Sequence, residues 1–438
     1  MIIRGIMTKI QKIRTRRSAQ AYYKRVSRTL PNAREYFKKK KELESRGKIV
    51  SVDEAASVKK EIRRYRILKF YKILAVLAVL GIIGTAAYFY LQNREYKEYE
   101  VQTDIKREDT VTAQYMEFQG QILKYNKDGV SYCDAQNNTL WAYTYEMQSP
   151  TVDICKNMAA VGDIKGTKLF IFDADGNQGE VNTNFPIQKF RVSELGTVAV
   201  VLEDGDTTWI NIYDKSGGEP LAKNKTSLDI SGYPVDLDIS NDNTRVIVSY
   251  LQLDGGALKT HVAFYNFGSV GQNYTDKLVS GKIVDGVLFP RTAFIDNEHA
   301  VAFGDDRFLI FEGKQIPELS AEVPLEEGEQ LVDIFYDENH IGIVVTSADN
   351  ASKYSARIYN LQGSLLLTQK LNTEFDRIKI YDDQLLMFYQ KQFSVYNLKG
   401  VEKFTGTMTR NILDIIPKNK GSQFIVVDSS NTRQIKLK

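Results

Sequence analysis

Three histidines, His261, His299 and His340, and two cysteines, Cys133 and Cys155, are the whole supply of imidazole and thiol in this chain of 438 residues. Catalysis by proton transfer or by a covalent intermediate draws on such groups when a partner side chain orients them. His299 and His340 occupy the same place in two similar stretches, FIDNEHAVAF at 294–303 and FYDENHIGIV at 335–344. That recurrence reads as a repeated turn, not as a base beside a nucleophile. His261 lies in a run that leads into a strand. No H-E-x-x-H, G-x-S-x-G or phosphate-cradling glycine motif occurs. The residues therefore supply no recognised catalytic constellation, and no cofactor is expected.

Oxygen and sulfur ligands are equally sparse. Asp173, Asp175 and Asn177 alternate as the first ligands of a Ca²⁺ loop do. The twelfth position counted from Asp173, where a bidentate carboxylate belongs, is Asn184, and the sixth is Gln178 instead of Gly. Equivalent slots elsewhere read Asp-Lys-Ser-Gly and Asn-Leu-Gln-Gly, ordinary turns with Gly at a positive-φ position. Asp173, Asp175 and Asn177 remain the metal candidates, with a plain turn preferred. Cys133 and Cys155 fall in neighbouring units on strands of different depth. Two cysteines make no disulfide framework, and pairing needs Cα atoms within about 7 Å, so their pairing stays open.

What must position these residues is set by one segment. Residues 73–91, ILAVLAVLGIIGTAAYFYL, contain no charge. At about 1.5 Å rise per residue this length crosses a bilayer core. Residues 1–72 carry 23 Lys and Arg against 6 Asp and Glu, a net +17, and the rest of the chain sums to −14. Lys59, Lys60, Arg63, Arg64, Arg66, Lys69 and Lys72 crowd the N-terminal flank. Cations flanking a span stay on the cytoplasmic side, so the N-terminus is expected inside and the C-terminal domain outside the plasma membrane. Phe70, Tyr71, Tyr88, Phe89 and Tyr90 sit at the two edges, where aromatic rings settle at headgroup level. The run begins too far from the N-terminus for a cleaved signal peptide, which predicts an uncleaved signal-anchor with a span from Ile73 through Leu77 to Leu91. Gly81, Gly84 and Thr85 form a small-residue face that would let two helices approach, the sole basis for a homodimer. Whether the chain starts at Met1 or Met7 is open.

The arm, residues 1–51, is basic and polar, with Pro31 and Gly47 punctuating two helical stretches. Ser51-Val52-Asp53-Glu54 fits a capping box, and helix formers continue from there, so 52–93 reads as one helix, first juxtamembrane and then spanning. The run Lys38–Lys41 and the basic residues nearest the span suit topology and contact with anionic lipid. Tyr22, Tyr23, Tyr36 and Phe37 are interleaved with charge, but no RNA or DNA motif accompanies them, and nucleic acid is not the expected partner.

Beyond residue 95 apolar and polar residues alternate in short runs, the signal of half-buried strands. One unit recurs: aliphatic-x-aliphatic, an aromatic, then a turn. With Tyr132, Phe172, Tyr213, Tyr265, Phe311, Tyr359, Tyr396 and Ile435 as markers, the spacings are 40, 41, 52, 46, 48, 37 and 39. A strand-only period of this length is the mark of a propeller blade. Eight blades follow, or seven if the irregular unit between 265 and 311 is not one; the segment 268–290 reads as an inserted loop. The last copy lacks a fourth strand, and residues 96–105 alternate well, so they are expected to pair with it and close the ring. A closed ring hides the sheet edges that invite aggregation.

The stretch TLWAYTYEMQSPTVDICKNMAAVGDIKGTKLFIFDADG, with Trp141 at the repeat's Trp position, resembles the quinoprotein-type (PQQ-like, WD40-like) propeller repeat. The whole chain resembles a family of single-pass membrane proteins of Gram-positive bacteria with such an ectodomain and no assigned activity. The resemblance implies architecture and location, and a non-enzymatic propeller, since the cofactor-stacking and metal-binding residues of quinone-dependent enzymes have no counterpart here.

The expected architecture is thus all-β: an eight-bladed propeller over 95–438, preceded by a transmembrane helix and a basic arm. The expected function is binding or scaffolding at the cell surface, with a protein or cell-envelope component as ligand. Two rivals stand. An enzyme, a hydrolase or a quinone-dependent one, would show a channel pocket with clustered titratable groups. A sensor would signal through the basic arm and require dimers. A binder would show an exposed apolar patch on its rim.

Overall fold

The computed structural model describes residues 31–46, 52–109, 112–346, 352–418 and 421–438. The chain divides into two units, Met1–Gln92 and Asn93–Lys438. Met1, Met7, Tyr22, Tyr23 and Ser51, the first residue of the expected capping box, lie outside the described residues.

In the first unit, helix α1 spans Pro31–Ser45 and helix α2 spans Val52–Gln92. Proline suits the first helical position, where its missing N–H leaves no bond unmade. At 41 residues, α2 is about 60 Å long. Its portion Arg63–Tyr90 is long and apolar enough to cross a membrane, and none of the apolar window is buried. Leu77, Ile82 and Ile83 each leave more than half their surface uncovered, at 60%, 67% and 58%. A helix apolar on every side has no face suited to water. The Thr85 hydroxyl donates back to Gly81 O at 3.0 Å and Ile82 O at 2.9 Å, satisfying itself within the helix.

The second unit is eight four-stranded antiparallel sheets. Blades 1–7 use four successive strands each: residues 114–144, 150–182, 187–227, 233–285, 291–324, 331–371 and 377–407. First strands of neighbouring blades contact one another around the channel, as between blades 2 and 3, 3 and 4, 4 and 5, 6 and 7, and 8 and 1. Blade 8 takes three strands from 412–437 and its outermost strand, Tyr99–Lys106, from the start of the domain. That strand pairs antiparallel with Asn431–Leu437, from Tyr99 opposite Leu437 to Lys106 opposite Asn431. Lys438 N donates to Glu98 O at 2.8 Å and Arg433 Nε meets Asp104 at 3.1 Å, fastening the two ends of the domain.

All eight marker residues lie on the third strand of their blades. Seven are buried, with Tyr396 half-buried. They and their strand neighbours fill the layers between blades. Phe264 of blade 4 meets Phe311 of blade 5 at 4.9 Å, and Phe308 of blade 5 meets Tyr359 of blade 6 at 5.1 Å. Trp141 on the fourth strand of blade 1 stacks on Phe172 of blade 2 at 5.2 Å, and its Nε1 donates to Ala174 O at 3.0 Å. Each fully buried ring of this kind contributes on the order of 2–3 kcal/mol of transfer free energy. Gly176, Gly217, Gly363 and Gly400 end the marker turns with positive φ, the region the turn requires and only glycine enters freely.

One expectation is corrected. Residues 268–290 are not simply an inserted loop: Leu278–Asp285 is the outermost strand of blade 4, paired with the long strand Ala257–Asn266. The extra residues form two short 3₁₀ turns, Gly271–Asn273 and Thr275–Lys277, ahead of it. The uneven marker spacing there reflects this insertion and the ten-residue second and third strands of blade 4. The blade count is eight.

Candidate functional site

The first strand of every blade carries a charge, in most blades inside an apolar run. From blade 2 to blade 8 the signs alternate around the channel: Asp153, then Lys189 and Arg191, then Asp236 and Asp238, then Arg291, Asp333, Arg377 with Lys379, and Asp414. Glu117 of blade 1 completes the ring and breaks the alternation. Each cation sits between blades that carry carboxylates. Lys189 Nζ meets Asp236 at 2.7 Å, and Arg191 lies 3.6 Å from Asp153 and 3.5 Å from Asp236. Arg377 meets Asp414 at 3.3 Å. Lys379 reaches Asp414 at 3.5 Å and, past blade 8, Glu117 at 3.3 Å, which neutralises the two adjacent acids.

The carboxylates also solve a backbone problem. A first strand has a sheet edge facing the channel, with N–H groups that no further strand can take. Asp153 Oδ2 accepts from Val192 N of blade 3 at 2.7 Å. Asp236 Oδ2 accepts from Thr292 N and Asp238 Oδ2 from Phe294 N, both of blade 5 and both at 2.7 Å. Each acid thus fastens its own blade to the next.

At one end of the channel, where turns join first to second strands, a cavity of about 310 Å³ collects groups from blades 2 to 6. Asp153, Arg191, Asp238 and Tyr336 line it, and Lys156 stands at its opening. Burial raises the Asp238 carboxyl to about 7, against the pull of Arg191, because a low-dielectric site disfavours the charged form. Burial likewise raises Asp153. Lys156 Nζ bridges Glu194 of blade 3 at 2.8 Å and Glu338 of blade 6 at 2.6 Å, so a blade 2 side chain is tied to the turn of a blade four places round the ring. A wider groove of about 360 Å³ runs along blade 1, where Asp109 meets Arg107, Lys124 and the Tyr115 hydroxyl, each at 3.0 Å. The channel end, not this groove, gathers groups from many blades.

The rim offers a different surface. The short helix Leu228–Ser231 leads into blade 4, and Gln252 Nε2 donates to Ile230 O at 3.3 Å, placing that helix beside the projecting hairpin of strands Arg245–Asp254 and Ala257–Asn266. Ile230 is 81% exposed and Leu253 73%, with Tyr233 close by in the register at 43%.

His299 and His340 occupy the same turn of blades 5 and 6: Nδ1 of each holds the Asp three residues before it, Asp296 at 2.9 Å and Asp337 at 3.0 Å. Those aspartates also accept the backbone N–H groups of their turns. His261 is half-buried against Tyr250, and burial lowers its pKa. Cys133 and Cys155 are both free thiols. The Cys155 thiol donates to Asn241 Oδ1 at 3.3 Å, and burial pushes it up to about 12. Asp173 Oδ1 accepts from Asp175 N at 2.8 Å within a tight hairpin, while the Asn177 amide turns to Gly179 O at 3.4 Å. Among the described residues no group of three or more His, Cys, Asp or Glu is arranged to hold a metal. Lys59, Lys60, Arg63, Arg64, Arg66, Lys69 and Lys72 all lie on α2 before residue 73.

None of the channel charges stood out in the one-dimensional pattern. The signal was present as single charges inside apolar runs, as in TVDIC, QKFRV, VDLDI and RIKIY, a placement a strand tolerates only where a partner waits.

A family model described as a family of unknown function (DUF5711) matches residues 92–437, and the chain belongs to that family. No curated protein matches it. Solved structures similar to it include BamB from Moraxella catarrhalis, at 13% identity and a TM-score of 0.48 over 78% of this chain and 100% of that one. The Neurospora crassa Pan2 WD40 domain matches at 7% identity and 0.44 over 77% and 95%, and Kluyveromyces lactis Hsv2 at 13% and 0.45 over 69% and 100%. At these identities and scores no functional argument rests on the likeness.

Proposed function

We propose that the chain is a membrane-anchored scaffold: a propeller, residues 95–438, held at the outer face of the plasma membrane by the span at about 73–91, with the basic arm in the cytoplasm. The observation that carries the binding role is the exposed apolar set Ile230, Leu253 and Tyr233 on blade 4. Patches of this kind on a soluble surface mark protein contact. The anchoring is supported by α2, apolar on all sides and unburied over its window, and by the seven cations from Lys59 to Lys72 before it. The Gram-positive cell surface, and a protein or envelope ligand there, belong to this proposal.

The enzyme reading has one feature in its favour, the cavity with titratable groups. Its Arg191, Asp153 and neighbouring Asp236 are engaged with one another and with backbone donors, which is what a structural ring requires.

The test is crosslinking in intact cells with the full chain and with an Ile230→Glu/Leu253→Glu variant, combined with protease added outside. The proposal expects the protease to digest the propeller while sparing the arm, and specific crosslinked partners to vanish in the variant. A propeller protected from external protease overturns the topology. Partners retained by a folded variant overturn the rim as the contact.

A further inference from the structure

The end of the channel lined by Asp153, Arg191, Asp238 and Tyr336 holds more acid than its own cations neutralise. Six charged residues line the cavity: Asp153, Asp238, Asp337 and Glu338 against Lys156 and Arg191. Both cations are already doubly engaged, Arg191 by Asp153 and Asp236, Lys156 by Glu194 and Glu338. Asp337 is held by His340. Asp238 is the acid left over: no ion pair among the described residues reaches it. Its Oδ1 accepts from Ile239 N at 2.9 Å and its Oδ2 from Phe294 N at 2.7 Å, which leaves a lone pair on each oxygen. Tyr336, from the first strand of blade 6, lines the same space, and its hydroxyl has no hydrogen-bond partner among the described residues.

A second observation says which ligand such a place accepts. The opening is already occupied by an ammonium: Lys156 lies between Glu194 and Glu338, from opposite sides of the mouth. Its side chain is 40% exposed and that of Glu338 64%, so this bridge is a weak, replaceable one. An anion would find both cations taken. A divalent cation would lack a ligand set, since no three acids, histidines or cysteines converge among the described residues. The volume, about 310 Å³, stands at the lower end of small-ligand sites and suits a chain of a few methylenes ending in a charged head.

We propose that this end of the channel is a binding site for a primary alkylammonium group. The head group bonds the free lone pairs of Asp238 and the Tyr336 hydroxyl, the methylenes run out past Ile295, and Lys156 competes with the ligand for the opening. The same chemistry is offered by a free diamine and by a lysine side chain presented by another protein. The inference goes beyond the scaffold reading and does not depend on it: it concerns the channel end, not the blade 4 rim.

Titration calorimetry on the full chain in detergent tests it, with cadaverine and Nα-acetyl-lysine N-methylamide as probes and the norleucine analogue as neutral control. Binding of at least one amine at millimolar concentration or below is expected, with none by the control. Asp238→Asn should weaken it about tenfold, the equivalent of about 1.4 kcal/mol, and Lys156→Met should strengthen it several-fold by removing the internal competitor. Tyr336→Phe should weaken it by a smaller factor. Cadaverine alone binding assigns the site to free polyamines, and the lysine derivative alone assigns it to a presented side chain. No amine binding, or binding indifferent to both Asp238→Asn and Lys156→Met, overturns the proposal. Should Asp238→Asn fail to fold, the Lys156→Met gain and the Tyr336→Phe loss decide it, because neither removes a backbone partner.

Discussion

Between the blades the molecule repeats one apolar solution, and around the channel it sets charges against one another pair by pair. The interblade layers are filled by apolar side chains from several strands of each blade, among them the third-strand residues Phe172, Phe311 and Tyr359, which need only be apolar and of suitable size. The channel ring is built from charges of alternating sign, and each depends on the identity of its neighbours: replace Lys189 by an acid and Asp236 meets repulsion where it had a partner. Dispersion and the hydrophobic effect are non-directional, so the layers tolerate drift among Phe, Tyr and Ile. Ion pairs have sign, so the ring gives each blade a preferred neighbour and opposes exchange of blades, at the cost of desolvating its charges.

This contrast can be broken at several points. The largest effect is expected from deleting residues 95–108, which removes the outermost strand of blade 8 and exposes the edge of Asn431–Leu437. The cooperative unfolding transition of the domain should be lost or fall steeply in urea, as followed by circular dichroism; an unchanged midpoint would show that the ring does not need its closure. Next comes the layer itself. Phe264→Ala, at a side chain fully buried between blades 4 and 5, should cost about 3–5 kcal/mol. In the ring, Asp236→Asn leaves Lys189 and Arg191 facing a neutral group. The Asp236 side chain is fully buried but its cations are partly open to solvent, so about 2–3 kcal/mol is expected. A smaller loss than from Phe264→Ala, together with raised salt sensitivity, would sharpen the distinction; equal losses would erase it.

The smallest effect is a slope. Asp238 keeps its proton in the folded state to about pH 7, whereas the unfolded carboxyl gives it up near 3.8. The folded state therefore holds the extra proton between those values, and this group's contribution to stability declines as pH rises through that window. Asp238→Asn should flatten the pH dependence of the urea midpoint between about pH 4 and 7, whatever it does to absolute stability. An unaltered slope would mean that Arg191 holds Asp238 ionised.

How much of this was legible varied with range. The marker strands were, because alternation and an aromatic before a turn are local signals, and all eight markers proved to be third strands. The closing strand was too, because a last unit short of one strand and an unassigned alternating run at 96–105 complete each other. The segment 268–290 misled because the glycines and polar residues ahead of the strand resemble a loop, while Leu278–Asp285 is an outermost strand that buries only Val279. The ring of channel charges was missed altogether. A lone Asp in TVDIC looks like noise until its partner, Arg191, stands 38 positions away.

By itself the sequence determined the parts: a helix apolar on all sides behind a basic arm, and eight strand units of near-equal length that bury one another. Those follow from burial and period, which each segment carries within itself. Tertiary structure alone decided who faces whom across the channel. Lys379 meets Glu117 across 262 positions of chain, and Lys156 meets Glu338 across the mouth, because closing the ring brings first strands together that no local pattern relates. The unpaired carboxyl of Asp238, on which a ligand would depend, exists only as the remainder of that pairing.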